Sequence, residues 1–206
     1  MPEDNTVRST RRAFIGGLAA AGTVGLAGCG ALSGSQDTLP TPVRGDPDAD
    51  VTVAVFKDYA CGHCARYTLD VFPDLVSEYI RPGTIRYEQY DFPIPLSEES
   101  WRAPNAARAV QDTVGEDAYW EYSHALYANQ DRLGLALYAE LAEQVGADPD
   151  TVRSAAAERT YDATVKADRQ LGIDRGVRAT PTIFVNGSPL DSYAYDVVTR
   201  AIESAR

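Results

Sequence analysis

Lysine is nearly absent from this 206-residue chain: of 19 basic residues only Lys57 and Lys166 are lysine, and the rest are arginine. Histidine is scarce, with His63 and His124 alone, and there are three cysteines, Cys29, Cys61 and Cys64. Thirty acidic residues leave a formal net charge of −11. Such a surface is a poor partner for nucleic acid or anionic lipid headgroups, both of which need clustered positive charge. Arginine in place of lysine on an acidic surface fits a protein kept soluble in high salt, where screening shortens self-repulsion. An acidic protein of ordinary salinity is the alternative. The sequence also lacks a long apolar run. The stretch from Ala13 to Ala27 is mildly hydrophobic, rich in glycine and alanine, and too short for a stable membrane span. Hydrophobic content of 44% and charged content of 24% are ordinary for a folded domain.

The N-terminal segment orders three signals. Arg11-Arg12 precedes the apolar stretch, and the stretch ends in Leu26-Ala27-Gly28-Cys29. Paired arginines before such a stretch resemble a twin-arginine export signal. The tetrapeptide resembles a lipobox, in which the cysteine sulfur takes the lipid. These resemblances imply a signal peptide over 1–28, lipid attachment at Cys29, and an extracytoplasmic protein anchored to the outer face of the cell membrane. Cys29 is then not part of any redox chemistry. Residues 29–49 show no apolar periodicity and read as a flexible tether. A folded domain is expected over 50–206, in a compartment where disulfides persist.

Val51 to Phe56 is a β-branched apolar run of strand length, expected to be buried on both faces. A helix opens at Gly62 and carries Tyr67, Val71, Leu75 and Tyr79. Pro73 should kink or restart it, and Arg81-Pro82-Gly83 should stop it. Thr84 to Tyr90 alternates as a strand. Residues 97–172 are helical in period: one helix opens near Ser97, a second runs from Glu116 to Tyr127, and a third from Leu135 to Val145. Asp148-Pro149 caps a fourth, and Asp162 to Leu171 forms a fifth ended by Gly172. Thr182 to Val185 is a strand, Asn186-Gly187 a hairpin turn, and Tyr195 to Ala205 a closing amphipathic helix.

Chemistry concentrates at Cys61-Gly62-His63-Cys64, at the junction of strand and helix. Two thiols two residues apart can close a small disulfide ring, and a helix N-terminus stabilises the thiolate of the first. Cys61 is the candidate nucleophile and the more exposed thiol; Cys64, one turn further in, is the candidate resolving cysteine. A structural disulfide is the first alternative, but so short a loop gains little chain-entropy stabilisation. Zinc is the second, but Cys61, His63 and Cys64 lack a convincing fourth ligand, His124 being the only other histidine. A partly positive His63 would favour the thiolate and raise the reduction potential; a solvent-exposed ring with no electronic role is its alternative. His124 reads as a helix-surface or packing residue. No phosphate-binding loop or Ser/His/Asp triad is visible.

Strand, Cys-x-x-Cys, helix, strand, a helical block, then Thr180-Pro181-Thr182 before a hairpin and a final helix resembles a thioredoxin fold. A helical insertion of about 75 residues (97–172) is similar to the DsbA-like branch, and so are Lys57-Asp58-Tyr59-Ala60 before Cys61, Tyr90-Asp91-Phe92-Pro93, Ala103-Pro104-Asn105 and Gly176 to Gly187. The resemblance implies an α/β thiol–disulfide oxidoreductase that needs no cofactor and no metal. Gly62 and His63 would tune it, and Thr180 and a cis Pro181 would receive the substrate chain; a trans proline starting a strand is the alternative. It implies cysteine-containing exported proteins as substrates and a membrane redox partner, and the composition argues against nucleic acid. Introduction of disulfides is the expected direction, with reductase or isomerase action, or a lipoprotein binding module, as alternatives. One departure stands out. Members of that branch often carry an acidic residue six positions before the first cysteine, and here that position is Val55. Asp58 reads as a turn residue, with water left to move protons.

Overall fold

The structure, a computed structural model, describes residues 38–206; the proposed signal segment and Cys29 lie outside the described residues. Five strands form one mixed sheet in the order β1-β3-β2-β4-β5. They are β1 Val43–Gly45, β2 Thr52–Lys57, β3 Arg86–Asp91, β4 Thr182–Val185 and β5 Ser188–Pro189. β2 and β3 run parallel, with Lys57 opposite Asp91, and the other three pairings are antiparallel.

β2 is central and buried on both sides, as its unbroken apolar run requires. Val53 and Val55 face the main core with Tyr87, Ile183 and Val185. Ala54 and Phe56 point the other way, into a smaller core with Tyr90, Phe92, Val177 and Phe184. There Phe56 stacks on Tyr90 at a centroid distance of 4.8 Å and meets Phe184 edge-on at 5.7 Å, geometries that favour aromatic pairs.

The helix after β2 runs without interruption from Gly62 to Ile80, but its hydrogen bonding changes along the way. α1 (Gly62–Arg66) gives way to a wider π segment, Tyr67–Val71, then α2 (Phe72–Leu75) and a second π segment, Val76–Ile80. Pro73 has no N–H to continue the ladder and its ring clashes with the preceding turn, so the wider turn ahead of it absorbs the misfit. Pro73 therefore restarts the helix, as expected, and Arg81 to Gly83 ends it in a turn.

The helical block comprises α3 (Glu99–Thr113), α4 (Glu116–Ala128), α5 (Leu135–Gln144), α6 (Pro149–Glu158) and α7 (Asp162–Asp174). Ala103, Ala106, Ala107 and Val110 are fully buried on α3 and allow close approach of its neighbours. Asp148 caps α6, accepting the Thr151 N–H at 2.7 Å. α8 (Tyr195–Ala205) closes the fold over β4, burying Val198 and Ile202.

Two expectations change. Gly172 does not end α7, which continues to Asp174. Its bareness serves packing: a Cβ there would lie 2.5 Å from Cδ2 of Phe92. The folded chain also begins before residue 50. β1 pairs with β3, the Leu39 N–H donates to Thr164 Oγ1, and the Val43 N–H donates to Glu116 Oε1. Part of the expected tether is thus an edge of the sheet.

Candidate active site

Three consecutive features of the chain set the first cysteine. β2 ends at Lys57, and Asp58 then turns the backbone. Its Oδ1 accepts the Ala60 N–H at 2.7 Å and its Oδ2 accepts the Ile94 N–H at 2.7 Å. Asp58 is therefore a buried turn residue with both oxygens engaged, and burial, first among several causes, raises its pKa. Gln130 fastens the same turn by donating from Nε2 to the Tyr59 carbonyl at 2.7 Å, while Tyr59 stacks on Tyr127. Cys61 follows as the residue before the helix, in extended conformation, with its carbonyl accepting from the Cys64 and Ala65 N–H groups.

The structure holds Cys61 and Cys64 as free thiols. Cys61 is the more exposed of the two, as expected, but by little: 6% against 0%. It is covered where Thr180 lies against it. The Thr180–Pro181 peptide bond is cis, as the resemblance implied, and the Cys61 thiol donates to the Thr180 carbonyl at 3.3 Å. The Thr180 hydroxyl is buried beside the two sulfurs. Cys61, Gly62, His63, Cys64, Thr180 and Pro181, which sequence analysis singled out, are thus brought together in one place.

The two sulfurs are electrostatically unequal. Hydrogen bonding from the Cys64 thiol, followed by the Thr180 side chain and the Cys64 and His63 N–H groups, lowers the Cys61 pKa to about 5 despite its burial. Burial raises that of Cys64 far above the ordinary thiol value, and the neighbouring Cys61 adds to it. The Asp58 N–H, 3.5 Å from Cys64 Sγ, works weakly the other way. A stabilised thiolate at the surface side and a buried thiol behind it is the asymmetry that dithiol–disulfide exchange uses.

Two residues escaped the sequence analysis. Tyr193, in the loop before α8, places its hydroxyl 2.9 Å from His63 Nδ1 and its ring edge-on to Tyr67. Nothing in the local sequence distinguishes it from other tyrosines. Lys57 is 3% exposed on the same face of β2 as Val53 and Val55, and its Nζ donates to Thr68 Oγ1 at 3.1 Å. A signal for Lys57 was present: one of only two lysines stands in an apolar strand, four residues before the first active-site cysteine. His124 is exposed on α4, as expected, and among the described residues no group of three or more metal-binding side chains forms.

Comparison with known proteins agrees with this geometry. The thioredoxin family model matches residues 37–204. Disulfide bond formation protein D of Bacillus subtilis is 28% identical over 182 residues, covering 84% of this chain and 80% of that protein. The crystal structure of oxidised BdbD from Bacillus subtilis superposes with a TM-score of 0.75 at 27% identity, covering 80% of this chain and 92% of that one. The structure of alpha-DsbA1 from Wolbachia pipientis shares the fold, with a TM-score of 0.71 at 21% identity over 81% of this chain and 92% of that one. The chain belongs to the thioredoxin family, as a thiol–disulfide oxidoreductase with the DsbA-like form of the fold.

Proposed function

We propose that this oxidoreductase works as an oxidant, introducing disulfides into exported proteins from the outer face of the cell membrane. One observation carries the direction: the dithiol form gains a hydrogen-bonded Cys61 thiolate with a pKa of about 5. Whatever stabilises the reduced form makes the disulfide a stronger oxidant. The name of the Bacillus relative, a disulfide bond formation protein, agrees with this direction.

In the reaction, a substrate thiolate attacks Cys61 Sγ of the Cys61–Cys64 disulfide. The S–S bond breaks, Cys64 leaves as a thiolate and takes up a proton, and a mixed disulfide joins substrate to Cys61. A second substrate thiolate attacks the substrate sulfur of that bond, and Cys61 leaves as its stabilised thiolate. The substrate has lost two electrons and the protein has gained them; a membrane redox partner removes them again. Gly62 and His63 tune Cys61, and the backbone at Thr180 and Pro181 offers an edge for an extended substrate chain. No cofactor takes part. Anchoring through lipid on Cys29, after export directed by residues 1–28, is supported by the order of twin arginines, apolar stretch and lipobox.

A glutathione redox titration tests the direction. A potential nearer about −120 mV than about −270 mV supports the oxidant, and one at the thioredoxin end supports a reductase. Intact mass of the membrane-bound protein tests the anchor: a lipidated chain beginning at Cys29 is expected, and a mature chain retaining Met1 would overturn it.

A further inference from the structure

The reaction just proposed creates a thiolate at Cys64, in a position with no solvent exposure. An anion released there needs a proton or a countercharge. The Asp58 carboxylate is close by in the chain, but both of its oxygens accept backbone N–H groups, and it holds the turn. Val55, on the strand behind the site, offers nothing.

Lys57 does. Its ammonium lies inside the protein, 4.7 Å from the centroid of the Tyr127 ring and under 6 Å from those of Tyr67 and Phe72. Its hydrogen bond goes to Thr68, which follows Cys64 by four residues on the same helix and is itself buried. Residues four apart share a helix face, so Nζ sits on the side of the helix from which Cys64 Sγ projects. Among the described residues no carboxylate lies within ion-pairing distance of it. Asp91, opposite Lys57 in β3, accepts from Arg108 Nε at 2.7 Å through its Oδ2. Burying a lysine without an ion-pair partner is costly, and its aliphatic stem could have been replaced by a leucine in a strand whose four preceding residues are Val53, Ala54, Val55 and Phe56.

We propose that Lys57 is the proton-transfer residue for Cys64, giving a proton to the departing thiolate and taking it back when Cys64 attacks. The step rests on the exchange reaction assigned above. It balances as written: the Lys57 ammonium and Cys64 thiolate become a neutral amine and a thiol, and the amine is reprotonated from water. In the reverse direction the amine removes the Cys64 proton, and the thiolate then breaks the bond between Cys61 and substrate. Burial holds the Lys57 pKa down to about 7, with Cys64 and Asp91 opposing that shift, so both protonation states are accessible near neutrality. The other titratable groups around the ammonium are Tyr67 on the active-site helix and Tyr127 and His124 on α4. Burial raises the two phenols beyond the working range; burial, then the charges of Lys57 and Arg44, lowers His124, which is exposed on α4.

The test follows reduction of the oxidised protein by excess glutathione in a stopped-flow instrument from pH 5 to 9, with rates divided by the glutathione thiolate concentration. In the native protein the corrected rate should fall as pH rises through about 7, where Lys57 loses the proton it donates. Lys57→Met should remove that fall and slow the reaction at pH 6 by about a hundredfold, the lower end of what a general acid contributes. Iodoacetamide trapping of Cys61 should keep its inflection near pH 5 in both proteins. Lys57→Gln, which keeps a donor for Thr68 but has no titrating proton, should fail like Lys57→Met and covers the case in which the methionine variant does not fold. Native rate and native pH profile in either variant would overturn the assignment of Lys57 alone. Failure of glutathione to reduce the native protein would overturn the exchange reading beneath it.

Discussion

The Tyr193 hydroxyl lies 2.9 Å from Nδ1 of His63 and ties the residue between the two cysteines to the loop joining β5 to α8. His63 is otherwise exposed, so this contact is what orients the imidazole proposed to tune Cys61. Tyr193→Phe should leave the ring freer and weaken its support of the thiolate. A hydrogen bond of about 0.5–1.5 kcal/mol corresponds to roughly 10–30 mV for a two-electron couple. The reduction potential should become more negative by that amount, measured against glutathione, with the melting temperature nearly unchanged.

Unequal thiols predict unequal reactivity. Iodoacetamide modification of the reduced protein should be half-maximal near pH 5 and confined to Cys61 below pH 7. Cys64→Ser should retain substrate as a mixed disulfide on Cys61. Equal trapping by Cys61→Ser would reverse the assignment of the two roles.

Redox state and pH should be linked. The folded Cys61 pKa is depressed from 9.0 to about 5, so its contribution to stability is full above the unfolded value and disappears as pH falls through about 5. Cys64 remains a thiol throughout this range. Thermal melts of the reduced and oxidised forms should therefore diverge in favour of the reduced form as pH rises from 5 to 9. Asp168, whose pKa is raised to about 7 mainly by burial, is common to both forms and cancels in the difference. A gap that narrows with rising pH would refute the thiolate as its source.

Arg108 is fully buried and bridges two carboxylates, Asp91 at 2.7 Å and Asp168 at 2.6 Å, while also donating to Gln111. Removing the shared cation strands two buried charges. Arg108→Ala should cost about 3–5 kcal/mol in urea unfolding, while the potential of whatever protein still folds should stay near native.

Gly172→Ala offers a sign test. In an open helix interior the change stabilises by about 1 kcal/mol. Here the new methyl meets Phe92 at 2.5 Å and Phe56 at 3.0 Å, and overpacking of this kind costs about 1–3 kcal/mol. A net loss of stability by calorimetry is expected; a gain would show that the two rings yield easily.

What could be read from the chain in advance was whatever depends on near neighbours. Asn186 and Gly187 both adopt positive φ, +45° and +79°, as a tight hairpin turn demands, and Asp148-Pro149 starts α6 where its capping chemistry places it. The cysteine pair and Thr180-Pro181 were recognisable as motifs, although 119 residues separate Cys61 from Thr180. Misreadings arose where a distant contact decides. Gly172 looked like a helix stop because the Phe92 ring above it is not local. β1 was missed because three residues at a sheet edge, flanked by Pro42 and ended by Gly45, carry no alternation. Lys57 was passed over because a charge in a strand ordinarily marks an exposed position, whereas here it points into the core.

The attachment of the chain ahead of β1 sets a length. The Pro40 carbonyl accepts from Arg108 Nη1 and Gln111 Nε2, and the N–H of Leu39 is held by Thr164. Under the proposed anchoring at Cys29, only nine residues, 30–38, separate it from Leu39, a span of ten peptide steps. Ten such steps reach at most about 35 Å even when fully extended. The oxidoreductase would then patrol a shell about as thick as the bilayer's own hydrocarbon core, meeting polypeptides as they leave the membrane and missing those that have already diffused away.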